Sequence, residues 1–332
     1  MAEYYPKVGV CYEHSESSKI YMIYTFACNA ACDHCLVESN PRRRAKIGLD
    51  KAKDIVRLGA EYGKSFLDMS GGEAMLFPEE IKEIFRTARD LGYFIVLNTN
   101  AYWARTPETT RRILGELQEA GLRGIFPSAS AYHSKYVPLE RVRNIREACQ
   151  TMDVTYELNY FYSADKSVDE QLMKDLDLAD EVFFYEGLQT TANNKDTLGR
   201  LKEAYLRRTP EELDDALSVH LGVNPHGHVV SSCNMNYNND KFRGTPFFVG
   251  DFTQTPFEDI LKAERSSQVL QFVYANPHPA MHHLLAKDSE VGDYHRDQFA
   301  DRRYYTVVDY YLDLFKDPKI MRRLEEVLPV PV

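Results

Sequence analysis

No run of apolar residues in the sequence approaches the ~18 needed to cross a bilayer, and the chain does not open on a charged leader followed by an apolar stretch. Both absences point to a soluble, cytoplasmic protein with no membrane partner. Basic charge is in deficit, since 40 Lys and Arg stand against 50 Asp and Glu and leave a net charge of −10. A general affinity for nucleic acid is thereby excluded. The local exception, Arg42-Arg43-Arg44 after Pro41, reads as a solvated loop rather than a phosphate or peptide-carboxylate clamp. Internal repeats and low-complexity tracts are also lacking. Cysteine is scarce: of six in 332 residues, three crowd into the octapeptide Cys28-Asn29-Ala30-Ala31-Cys32-Asp33-His34-Cys35. That distribution does not suit a secreted disulfide scaffold and fits a reducing compartment.

What is present is an alternation of strand and helix. Residues 20–27 form a continuous apolar, aromatic and β-branched run, the pattern of a strand buried on both faces. Strands follow at 65–69, 93–98, 123–128, 153–161 and 181–185. Helices fall between them at 49–62, 78–91, 107–120, 138–151 and 168–178, with Pro78 and Gly92 marking one start and one stop. Such repetition calls for a parallel sheet with right-handed crossovers, either doubly wound or curved into a full or partial barrel. In each case the loops at the carboxyl ends of the strands build the site. The cysteine loop and the turn Gly71-Gly72-Glu73 both lie at such ends. After residue 186 the rhythm stops; 221–231 reads as a hairpin around Asn-Pro-His-Gly, and the remainder as short helices. The expected organisation is an N-terminal segment 1–19, an α/β core 20–186, and a C-terminal extension 187–332 that covers the mouth.

The spacing C-x₃-C-x₂-C lets one short loop wrap three corners of a [4Fe–4S] cube, with one iron left open to chelate a cofactor. Zinc is the competing occupant, but it needs a fourth ligand such as His34, and short thiolate sites usually come as paired C-x₂-C units. Buried free thiols are the other alternative. A zinc or cluster protein with a structural or redox-sensing role is the corresponding non-enzymatic reading.

With C-x₃-C-x₂-C directly after the first strand and Gly71-Gly72-Glu73 directly after the second, the chain resembles the radical S-adenosylmethionine (SAM) superfamily across roughly residues 20–186. The resemblance implies a partial (βα)6 TIM-like barrel. Cys28, Cys32 and Cys35 would hold one [4Fe–4S] cluster, whose open iron would bind the amino and carboxylate groups of SAM. The Gly-Gly-Glu turn would receive the amine. His34 stands where the family carries an aromatic residue, beside adenine. Asn98, Thr99, Asn100, Ser128, Ser130 and Asn159 are candidate SAM contacts, each equally a turn former or cap. Arg143 resembles the basic residue that pairs with the SAM carboxylate in several members. An electron donor such as flavodoxin or ferredoxin is required.

Within the superfamily the chain looks most like the peptide epimerases. The similar stretches are CNAACDHC with Ser39-Asn40-Pro41, Gly71-Gly72-Glu73, Asn98 to Trp103, Ser130-Ala131-Tyr132-His133, and HGHVVSSC ending at Cys233. The resemblance implies Cys233 as hydrogen-atom donor to a substrate radical. No cysteine follows Cys233, so the auxiliary cluster of those relatives is not expected, and the substrate stays open between a peptide and a small metabolite. A radical SAM lyase, dehydrogenase or bond-forming enzyme is the alternative. His278, His282, His283 and His295 read as surface or pocket histidines, and Tyr304, Tyr305, Tyr310 and Tyr311 as packing.

Overall fold

The computed structural model describes residues 15–161, 163, 165–177, 207–213, 219–232, 235, 237–276 and 280–329. Five parallel strands carry the expected rhythm. Lys19–Ile23 (β1), Phe66–Ser70 (β2), Phe94–Thr99 (β3) and Leu122–Ala129 (β4) lie side by side in register. The stretch expected as one strand at 153–161 is broken into Thr155–Tyr156 (β5) and Asn159–Tyr160 (β6), both paired to β4. The strand expected at 181–185 lies outside the described residues. Helices Leu49–Glu61 (α1), Pro78–Asp90 (α2), Pro107–Ala120 (α3), Leu139–Cys149 (α4) and Lys166–Asp175 (α5) supply the crossovers. Pro at the first turn of α2 and α3, and the Thr106 side chain capping Thr109 N–H, fix where these helices begin.

Alternation within each strand sorts the side chains into two layers. Ile20 and Met22 of β1, Leu67 and Met69 of β2, and Ile95 and Leu97 of β3 join the helices in one buried core. The opposite face lines the concave side of the sheet. Its lower part is apolar, built from Phe66, Val96 and Phe126 with Phe94 against them.

The hairpin read at 221–231 is present as Leu221–Val223 (β7) and His228–Ser231 (β8), followed by Phe248–Asp251 (β9). β7 lies parallel on β1, so the meander extends the sheet, giving the order β5-β4-β3-β2-β1-β7-β8-β9. The sheet does not close. The C-terminal helices, among them Gln268–Ala275, Val307–Phe315 and Pro318–Val327, form a second core with Ile23, Phe26, Val37 and Val230. Tyr304, Tyr310 and Tyr311 are buried in it, as packing requires. Of the histidines expected at the surface or in a pocket, His282 and His295 are buried there too, off the surface: the Tyr310 hydroxyl lies 3.1 Å from His295 Nε2 and 3.4 Å from His282 Nδ1. His283 is exposed, and His278 lies outside the described residues. Among the described residues no helix is long and apolar enough to cross a membrane.

Candidate active site

The cysteine loop leaves the carboxyl end of β1 and is stitched to the turn after β2. Gly72 N–H donates to Thr25 O (2.7 Å) and Glu73 N–H to Ala27 O (2.9 Å). Glycine is required at both preceding positions. Gly71 has φ of +149°, and a Cβ on Gly72 would stand 2.2 Å from the carbonyl oxygen of Ala27. The glycines therefore bring the turn against the stem of the cysteine loop.

Cys28 and Cys32 are buried and Cys35 nearly so, with Tyr132 packed against the first two. Their sulfurs already accept hydrogen bonds: Ala30 N–H to Cys28 Sγ (3.4 Å), Ser39 N–H to Cys35 Sγ (3.4 Å) and Asn100 Nδ2 to Cys28 Sγ (3.5 Å). Burial pushes all three thiols up, Cys32 to about 12, with the neighbouring cysteines adding to Cys28 and Cys32. Thiols this hard to ionise carry charge only when a metal cation replaces the proton. Among the described residues, no three His, Cys, Asp or Glu side chains converge as ligands of a single metal ion do. Buried sulfurs that accept N–H hydrogen bonds suit the thiolate corners of an iron–sulfur cluster.

The Glu73 carboxylate, in the turn expected to receive the amine, is buried among main-chain and hydroxyl donors. Both oxygens are engaged, accepting from Met75 N–H (3.0 Å), Thr99 Oγ1 (3.0 and 3.1 Å) and Asn100 N–H (2.8 Å). Burial raises its carboxyl to about 7 against these donors. It pins the end of β3 to the turn after β2. Asn100 in turn holds Cys28 and Asn29 (Nδ2 to Oδ1, 2.9 Å), so it serves the cysteine loop.

Other candidates separate similarly. Ser130 is fully buried and caps its own turn, accepting from Tyr132 and His133 N–H and lying 2.9 Å from His133 Nδ1. His34 is buried and stacks on Tyr132 at 4.7 Å, with Phe161 at 5.0 Å. Burial holds its imidazole neutral. Arg143 is exposed on α4 and donates to the carbonyl of Asp175. Cys233 lies outside the described residues.

Asn98 and Asn159 meet on the concave face above the phenylalanine floor. Asn159 Nδ2 donates to Asn98 Oδ1 (2.6 Å), and Asn98 Nδ2 donates to Asp68 Oδ1. Ser128 pairs with Asn159 in register. Sequence reasoning missed Asp68. The available signal was a lone carboxylate within the apolar strand Phe66-Leu67-Asp68-Met69. Burial raises Asp68 to about 7, Glu157 adds to this, and Lys19 and Asn98 oppose it. Since this lies above the unfolded value of 3.8, its contribution to stability is present in acid and is lost as pH rises through about 7. Urea midpoints of wild type relative to Asp68→Asn should accordingly fall between pH 4 and pH 8.

A loop of three cysteines at the end of β1 is seated on a Gly-Gly-Glu turn at the end of β2. Residues 22–168 match the Radical SAM superfamily, and the chain carries a domain of that family. A relative from Bacillus subtilis (strain 168), YydG, named for peptide biosynthesis, is 24% identical over 144 residues, covering 42% of this chain and 44% of the relative. An AdoMet-dependent heme synthase of Methanosarcina barkeri (strain Fusaro / DSM 804) is 30% identical over 167 residues, covering 48% of this chain and 46% of the relative. The chain thus matches less than half the length of these curated relatives. Among solved structures, anSMEcpe with bound AdoMet shares the fold at a TM-score of 0.52 and 12% identity, over 93% of this chain and 99% of that one. The radical SAM family uses a [4Fe–4S] cluster and SAM.

Proposed function

We propose that the enzyme acts on a peptide or small metabolite as an epimerase or isomerase, with Cys233 returning a hydrogen atom to the face opposite the one attacked. The observation that carries the substrate part is a hydrogen-bonded row of polar side chains. A polar ladder, Asp68-Asn98-Asn159, lies on the same concave face that the cysteine loop caps. Cys28, Cys32 and Cys35 would hold the cluster, which with SAM would supply hydrogen-atom abstraction from an sp³ carbon.

The chain's own residues do the rest. Gly71 and Gly72 let the turn that would receive the amine of SAM seat against the backbone of Thr25 and Ala27. Glu73 holds the ends of β2 and β3 at fixed separation. Tyr132, His34 and Phe161 wall the loop with neutral aromatic surface, which excludes water from a reactive intermediate. Asp68 and the two asparagines offer acceptors and donors that suit main-chain amides. YydG's name supports a peptide, as do the epimerase-like stretches of the sequence.

A second reading, a lyase, dehydrogenase or bond-forming enzyme without a donor thiol, is favoured by the course of β8. The turn 224–227 stands at the carboxyl end of β7, the end at which β1 enters the cysteine loop. β8 then runs back, and Ser231 pairs with Leu221, which is level with Ile20 near the start of β1. Cys233→Ala separates the two. An epimerase should still form 5′-deoxyadenosine with candidate peptides but lose the inverted product and its solvent deuterium. Undiminished product from the variant would sink the donor assignment.

A further inference from the structure

The cysteine loop reaches the surface, and what surrounds it there is unlike the rest of this acidic chain. Asn29 is exposed at the loop's outer edge. Tyr136 is 44% exposed, one of three large apolar or aromatic side chains so placed among the described residues, and its hydroxyl donates to Ala31 O (3.0 Å) between the first two cysteines. Lys135 beside it pairs with Asp33 of the same loop (3.0 Å).

The turn 40–44 is bonded to the loop as well. Cys28 N–H donates to Asn40 O (3.4 Å), Ser39 N–H to Cys35 Sγ, and Arg42 N–H to Asn40 Oδ1 (2.9 Å). Arg43 is committed, pairing with Glu38 and stacking 3.6 Å from the centroid of the Tyr237 ring. Arg42 and Arg44 are exposed and have no carboxylate partner among the described residues. Two uncompensated cations and a bare tyrosine therefore adjoin the ligand loop of a protein whose net charge is −10.

We propose that this face, Arg42, Arg44 and Tyr136 around the outer edge of the cysteine loop, docks the acidic one-electron carrier protein that drives SAM cleavage. The inference rests on the radical SAM reading, because that cleavage consumes one electron. The carrier loses the electron and the cluster gains it, with no bond or proton moving at this contact. An acidic carrier is repelled by the chain as a whole, so productive encounters depend on a local reversal of sign. Tyrosine and arginine are the side chains that most often anchor such contacts. Tyr136 is bonded to the ligand loop and the turn 40–44 adjoins it, so a carrier docked on them comes close to the cysteines.

The test compares wild type with Arg42→Glu/Arg44→Glu, both anaerobically reconstituted, using flavodoxin kept reduced by NADPH and its reductase, or dithionite. At low ionic strength the variant should cleave SAM at least ~10-fold more slowly with flavodoxin and at the wild-type rate with dithionite. Calorimetric titration with oxidised flavodoxin should show a matching loss of affinity. Wild-type affinity should fall with added salt and the variant's should barely respond. Equal flavodoxin rates and affinities in the two proteins would overturn the proposal, as would an equal loss with dithionite or a wild type that does not bind flavodoxin. A wild type that binds flavodoxin through these arginines yet cleaves no SAM with either reductant would leave the docking face standing and defeat the functional reading.

Discussion

Anaerobic reconstitution of Cys32→Ala with iron and sulfide, followed by dithionite and SAM, should yield 5′-deoxyadenosine only at background, against clear formation by wild type. Cys32 sits between the other two cysteines and is buried with them against Tyr132. Removing it leaves two thiols whose burial keeps them protonated, so iron must be bound without a third charge and without the third corner of the cube. Alanine is smaller and apolar in an already buried place, so the fold should survive. Far-UV circular dichroism should be unchanged while the iron-to-protein ratio collapses. A variant that loads iron fully and still cleaves SAM would remove the cluster assignment at its foundation.

Lys64→Met should lower stability by about 3–5 kcal/mol, the usual result of stripping one partner from a buried ion pair. Lys64 and Glu264 have side chains only 3% and 4% exposed and stand 2.7 Å apart. Lys64 Nζ also donates to Ser17 O (2.8 Å), and Glu264 accepts from the Tyr274 hydroxyl (2.8 Å), which lies 2.8 Å from Ser231 Oγ. The cluster of contacts ties the start of β1 and the end of α1 to the helix 257–266 and to β8. Without the ammonium, Glu264 is left as a buried charge with one hydroxyl for company. Lys64→Met/Glu264→Leu should recover much of the loss, because the penalty belongs to the uncompensated carboxylate rather than to the missing attraction. Urea midpoints of the two variants decide this. If the single and double changes are equally damaging, packing around Lys64 matters more than its charge.

Much of the fold was legible because helix stops and strand runs are local signals. Pro78, Pro107 and Gly121 mark boundaries wherever they fall, and the first four strands lie within a few residues of expectation. The break at 157–158 was not legible, since the mixed polar and apolar run 153–161 carries no mark for where a strand leaves its neighbour. The attachment of β7 to β1 was hidden for another reason: parallel pairing between segments some 200 residues apart leaves no trace in periodicity. At the site, cysteine spacing spoke for itself because one loop contains it. The partners of Glu73 and Arg143 depend on tertiary approach. So does the choice between cap and ligand, which residue type alone leaves open. Asp68 was visible only as an anomaly, a charge within an apolar strand.

Because β7 occupies the flank of β1, the strand that feeds the cysteine loop is hydrogen-bonded on both sides, whereas β5 and β6 have two residues each at the far border. Backbone amides of β1 should therefore exchange with deuterated water only through global opening, while those near β5 and β6 exchange through small local excursions. The loop can then loosen enough to admit iron and sulfide during maturation without unravelling the stem that must hold them afterwards.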